Sequence, residues 1–227
     1  MKNEFLDGFM ANMPIGISVF TYGSVLGVLS TQKGVELFEL VLMNIFIFAG
    51  SSQFVLVQMW DNTVDIIAMI TAALLINLRY FLVGASLNPL FKQSSKKDKF
   101  KYMHFATDES WAITMQRLKS QDITPKFLFG GGVCIFLTWF IGTVLGYNLG
   151  EFINDPKTYG LDFAFVAIFF ALALSMYKGK GDVLPWIITC IVAVLASLYI
   201  EGNFYIVIAA IVGSYSAVVL QKGKSNE

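Results

Sequence analysis

Arg79 lies near the middle of an apolar run from 66 to 91, with Asn77 just before it and Tyr80, Gly84, Ser86, Asn88 and Pro89 after it. A guanidinium at bilayer depth costs at least ~2.5–3.5 kcal/mol even on lenient insertion scales, so something must compensate it. Two kinds of partner fit: a substrate carboxylate or gating acid such as Asp162, or a structural ion pair or backbone carbonyls. On a regular helix Asn77, Tyr80, Gly84 and Asn88 share a face, while Arg79 points about 200° away from Asn77. Both polar groups line one cavity only if the helix is broken or enclosed by protein. Gly84 and Pro89 mark the expected break, and half-helix ends are how transporters hold carboxylates and ions.

An earlier run carries Ala49-Gly50-Ser51-Ser52-Gln53-Phe54, four small residues and an amide at similar depth. Such a stretch permits close helix approach and also leaves Ser51, Ser52 and Gln53 to meet a polar guest. Two acids are the candidates for gating or coupling. Asp162 opens a later run, where a dipole partner at a helix start fits as well as a proton-accepting gate, and Asp108 follows Thr107 in the longest polar connection. Other chemistry is missing. No phosphate-cradling GxxxxGK[ST] or HExxH pattern occurs, His104 is the single histidine, and Cys134 and Cys190 sit in apolar runs without metal-ligand spacing. The expectation is a chain that is not an enzyme, with no cofactor and no metal. Residues 203–220 hold no lysine for a retinal Schiff base.

The elements that must position these residues are set by composition. Of 227 residues, 56% are apolar and 14% charged, with mean hydropathy +0.65, where soluble domains carry about a quarter charged residues. Sixteen basic residues balance sixteen acidic ones, which removes nucleic acid as a partner. The expected fold class is all-α, a polytopic transmembrane helical bundle forming one domain in the lipid bilayer. Seven candidate spans run at 10–30, 38–60, 66–91, 127–147, 160–176, 183–200 and 203–220. With seven spans, thirteen Lys and Arg fall on one face and two, Lys2 and Lys157, on the other. The positive-inside rule then puts the N-terminus outside and the C-terminus in the cytoplasm.

The 92–126 connection is expected to be cytoplasmic. It opens with Lys92, Lys96, Lys97, Lys99 and Lys101, and continues with Thr107 as a helix N-cap before Asp108 and Glu109. Trp111, Ala112, Met115 and Leu118 recur at helical spacing and predict an amphipathic helix on the membrane surface. A faint repeat relates Gly23-Ser24-Val25-Leu26-Gly27 to Gly142-Thr143-Val144-Leu145-Gly146. It fits a 3+3 inverted repeat plus one extra helix, and it equally fits two GxxxG packing faces.

Asn77-Leu78-Arg79, Gly84-Ala85-Ser86-Leu87 and Ala49 to Phe54, taken with Pro14-Ile15-Gly16, Thr107 to Ser110 and Leu161 to Phe165, resemble the azaleucine-resistance C (AzlC) family of bacterial branched-chain amino acid exporters. The resemblance runs through most of the chain. It implies a permease of the bacterial inner membrane that exports leucine, isoleucine, valine and sometimes methionine. It also implies a small four-span partner of the azaleucine-resistance D (AzlD) type. Tyr80 departs from the family, which often has His after the Arg. With that resemblance, the expected mechanism is alternating access. Arg79 and Asn77 hold a carboxylate or coupled acid, and Ser51, Ser52 and Gln53 meet the amino acid head group. A passive channel, or a receptor-like or scaffold subunit, is the competing reading.

Overall fold

The computed structural model describes residues 3–60, 65–153, 160, 163, 166, 167, 170, 174, 177, 179, 181–200 and 204–224. Regular structure among them is helical. Two long helices form the spine, α1 (Glu4–Gln32) and α8 (Pro125–Gly150). At 1.5 Å per residue they measure about 44 and 39 Å, more than a hydrocarbon core of about 30 Å. Thr124 starts α8 by accepting from the Lys126 amide, with Pro125 at the first helical position, where its missing N–H costs nothing.

Glycines let the two backbones touch. A Cβ on Gly8 would overlap the Phe127 carbonyl, one on Gly27 the Thr143 carbonyl, and ones on Gly142 and Gly146 the carbonyls of Phe20 and Ser24. Low numbers in α1 meet low numbers in α8 throughout, so the helices run in the same direction. The pentapeptides at 23–27 and 142–146 are thus the two sides of one packing seam. They are not inverted copies, and the GxxxG reading of that pair is the correct one.

One face of the molecule carries the starts of α1 and α8, and the opposite face their ends. From the second face, α2 (Leu37–Phe46) and α3 (Gly50–Gln58) go in and come back. Lys33, just past α1, donates through Nζ to the carbonyl of Gln58 at 3.2 Å, so both ends of this hairpin share the second face. Each arm measures about 15 Å, half a bilayer. The 38–60 segment is therefore re-entrant and does not cross. Its tip is Phe48, whose φ of 36° is the one positive value at a non-glycine among the described residues.

The chain then crosses back through α4 (Ile66–Asn77) and α5 (Arg79–Leu87), which are separated at Leu78. Gly84 lies within α5 and Pro89 beyond its end, so neither makes the break. From the first face, α6 (Lys96–His104) and α7 (Asp108–Leu118) form a second hairpin. Arg117, in the last turn of α7, lies 5.4 Å over the Phe127 ring, while the Phe105 carbonyl at the tip abuts Gly132.

The Thr107 cap is present, with Thr107 and Ser110 bonding each other's backbone amides. The helix it starts does not lie on the surface. Ser110 and Thr114 are fully buried, Trp111 donates to Ser86 Oγ at 2.7 Å, and Met115 and Leu118 pack on the cluster of Val83, Leu87, Phe91 and Leu128. Each half of 4–118 is thus a long helical element followed by a hairpin, and the halves enter from opposite faces. The 58-residue offset that takes Gly50 to Asp108 also takes Tyr22 to Tyr80. Two further helices, α9 (Val183–Tyr199) and α10 (Phe204–Lys224), pack together, with α10 also on α4.

This topology moves the N-terminus. Glu4 accepts hydrogen bonds from the Thr124 amide, at 2.9 Å, and from its hydroxyl. Residues 3–7 therefore share a face with 92–126, whereas the charge count had them on opposite faces because it treated 38–60 as a crossing.

Candidate functional site

Three interruptions of helix converge at one height: the tip at 47–49, the step at Leu78 and the tip at 105–107. They open a narrow cleft lined by Val19 and Tyr22 of α1, Phe48, Gly50 and Ser51 of the first hairpin, Arg79 and Tyr80, Thr107, Asp108 and Glu109 of the second, and Ile135 and Trp139 of α8. Val19 lies next to the midpoint of α1, and Ile135 and Trp139 bracket the midpoint of α8. The cleft therefore lies at mid-height of the two long helices.

Arg79 is the centre of the polar side. Its Nη1 is paired with Asp108 Oδ2 at 2.6 Å, its Nη2 donates to Ser51 Oγ at 2.8 Å, and its guanidinium lies 5.2 Å from the Tyr80 ring centroid. The Arg79 and Asp108 side chains keep 25% and 42% of their exposure, so the pair is open to the cleft rather than sealed. Arg79 Nε and the Tyr22 hydroxyl are both buried without a hydrogen-bond partner among the described residues.

The step at Leu78 resolves the conflict between Asn77 and Arg79. Asn77 Oδ1 accepts from Ser52 at 2.8 Å while Arg79 reaches Ser51, so consecutive serines of α3 hold the residues on either side of the break.

Behind the cleft wall lies a buried amide network. Gln53 Nε2 donates to Asn44 Oδ1 at 2.8 Å, Trp139 Nε1 donates to the same oxygen at 3.0 Å, and Asn44 Nδ2 donates to Thr143 Oγ1 at 2.8 Å. Asn44 thereby ties both arms of the first hairpin to α8. Ser52 and Gln53 are fully buried and bonded within the protein, and the cleft lining includes neither.

Of the residues singled out from sequence, Arg79, Ser51 and Asp108 meet in the cleft, Asn77, Ser52 and Gln53 frame it, and Asp162 lies outside the described residues. Sequence reading missed Tyr22, Phe48, Glu109, Trp139 and Asn44 as parts of the site. Asn44 carried a usable signal, an amide alone in an apolar run, the same kind of anomaly that exposed Arg79.

A family model described as AzlC protein matches residues 14–153. An uncharacterized membrane protein of Helicobacter pylori strain 26695 is 24% identical over 226 residues, 97% of this chain and 98% of that protein. Inner membrane protein YgaZ of Escherichia coli is 26% identical over 189 residues, covering 78% and 74% of the two chains. The branched-chain amino acid transport protein AzlC of Bacillus subtilis is 22% identical over 219 residues, covering 96% and 85%. No solved structure matches the chain.

Proposed function

The chain belongs to the AzlC protein family, and on that premise we propose that it is a secondary transporter exporting branched-chain amino acids across the bacterial inner membrane. The observation that carries this reading is Arg79, a paired but solvent-accessible guanidinium at the meeting point of three broken helices. Val19, Phe48, Ile135 and Trp139 offer an apolar wall for an aliphatic side chain beside that guanidinium.

In this mechanism Arg79 takes the substrate carboxylate, with Ser51 beside it. Asn77, Ser52, Gln53 and Asn44 hold the break and the hairpin in register. Each hairpin closes the cleft toward its own face, so withdrawing one at a time gives alternating access. The name of the B. subtilis relative supports amino acid transport as the task. Export, a small AzlD-type partner and methionine as a further substrate belong to the proposal and rest on the family resemblance.

The test is leucine efflux from loaded proteoliposomes containing the chain with and without a small partner. Uphill efflux that disappears in Arg79→Ala, with membrane insertion intact, is the expected result. Efflux that merely equilibrates leucine, or an Arg79→Ala variant with unchanged efflux, overturns the reading.

A further inference from the structure

We infer that the Arg79–Asp108 pair is the protein's own stand-in for an amino acid zwitterion, so that Asp108 is the residue that reads the substrate's ammonium group. This deepens the proposed function and rests on it. In the cleft the Arg79 guanidinium is paired with the Asp108 carboxylate at 2.6 Å, with Glu109 also in the lining, at a depth where an uncompensated charge is costly. An α-amino acid presents the same two charges in the opposite sense, a carboxylate and an ammonium joined through one carbon. Inserted between Arg79 and Asp108, it gives each residue a new partner, and the net charge of the cleft does not change. A ligand with only one of the two charges strands the other residue without a partner.

Three features of the site agree. Asp108 is the more exposed member of the pair and begins α7, so it moves with the second hairpin while Arg79 stays with the crossing helix. Arg79 commits Nη2 to Ser51 and Nη1 to Asp108, so the Nη1 position is the one a substrate carboxylate takes when it displaces Asp108. The Tyr22 hydroxyl, buried and without a partner, lines the same cleft. Substrate binding therefore exchanges the bond that ties the second hairpin to α5 for bonds to the substrate, which couples occupancy to hairpin movement.

The experiment measures competition against radiolabelled leucine on the purified full chain, using leucine, 4-methylpentanoate (leucine without its amino group) and 3-methylbutylamine (leucine without its carboxyl group). In the unaltered protein only leucine competes, by 100-fold or more over either analogue. Asp108→Asn lowers leucine affinity at least 30-fold and leaves 4-methylpentanoate, tested as a labelled ligand, binding as well as leucine. Arg79→Gln does the reverse and favours the amine. Where a single variant fails to fold, Arg79→Gln with Asp108→Asn removes both members of the pair together, and it is expected to bind all three ligands weakly without ranking them. An Asp108→Asn protein, or a double variant, that still ranks leucine 100-fold above 4-methylpentanoate overturns the inference while leaving the transport reading standing. Failure of the unaltered protein to bind leucine overturns both.

Discussion

Phe48 and Phe105, each at the tip of a different hairpin, meet with ring centroids 6.3 Å apart, and both rest on Phe136 of α8, at 5.1 and 5.5 Å. Two hairpins entering from opposite faces thus touch at mid-height of α8, with Phe48 also lining the cleft. Aromatic pairs of this kind contribute about 0.5–1.5 kcal/mol beyond their buried area. A double-mutant cycle of Phe48→Leu and Phe105→Leu, read from the thermal stability of the detergent-purified protein, should show a coupling energy in that range. Strict additivity would mean that the tips do not meet.

Phe48 also sits in left-handed backbone, φ 36°, which is costly for a bulky side chain. The ring is retained there because it is fully packed, at 5% exposure. Phe48→Ala should lose about 3–5 kcal/mol for the cavity. Phe48→Gly removes one more carbon and relieves the strained φ, so it should be no less stable than Phe48→Ala. A glycine variant melting well below the alanine variant would contradict this account of the tip.

The α1–α8 seam and α5 give opposite expectations for glycine replacement. At Gly27 a Cβ runs into the Thr143 carbonyl and the Tyr147 amide, both backbone, so Gly27→Ala forces the helices apart and should cost about 1–3 kcal/mol. At Gly84 the nearest atom to a new Cβ is Met103 Cε at 3.7 Å, ordinary contact. Gly84→Ala should therefore be neutral or stabilising by about 0.5–1 kcal/mol, the usual gain on replacing a mid-helix glycine. Loss of stability at Gly84 would restore it as a hinge.

Asn44 holds three bonds at full burial. Asn44→Leu keeps the volume roughly and strands Gln53 Nε2 and Trp139 Nε1, each at about 1–3 kcal/mol for an unsatisfied buried group. A melting temperature lowered by several degrees is expected, together with weaker leucine binding, because Trp139 forms part of the cleft wall. A variant as stable as the unaltered protein would mean that the network contributes nothing.

Hydropathy located the apolar segments well, since 10–30 and 127–147 lie within α1 and α8 and 183–200 overlaps α9 almost completely. It could not give direction. A re-entrant pair of half-helices such as 37–58 contains as many apolar residues as one full crossing, and the sign of its return is written in a few contacts, Lys33 with Gln58 among them. Arg79 was legible because one charge in an apolar run has no cheap explanation. Its partner Asp108 sat in the most polar connection, where an acid is unremarkable until the hairpin carries it to mid-depth. The break was misplaced for a similar reason: Gly84 and Pro89 are the residues that usually interrupt helices, but the step falls at Leu78, between Asn77 and Arg79, which Ser52 and Ser51 of the neighbouring hairpin hold by hydrogen bonds. Sequence shows propensity, and here the step lies where tertiary contacts gather rather than at the residues of lowest propensity.

The position of the N-terminus is the last expectation. Within residues 3–153, the described basic side chains divide by face: Lys92, Lys96, Lys97, Lys99, Lys101, Arg117, Lys119 and Lys126 on the first, Lys33 on the second, with Arg79 internal. Positive charge is retained in the cytoplasm, so the first face is expected to be the cytoplasmic one, with Glu4, bonded to Thr124, placing the N-terminus on that same face. On that expectation the second hairpin opens to the cytoplasm and the first to the outside. Single cysteines at Asn3, Lys97, Glu36 and Gln58, introduced after replacing Cys134 and Cys190, can be probed with a membrane-impermeant maleimide. Asn3 and Lys97 should react only after the cells are permeabilised, and Glu36 and Gln58 in intact cells. If Glu36 and Gln58 reacted from different sides, 37–58 would be a true crossing. If Asn3 and Lys97 did, α1 and α8 could not run in the same direction, and the glycine seam between them would be lost.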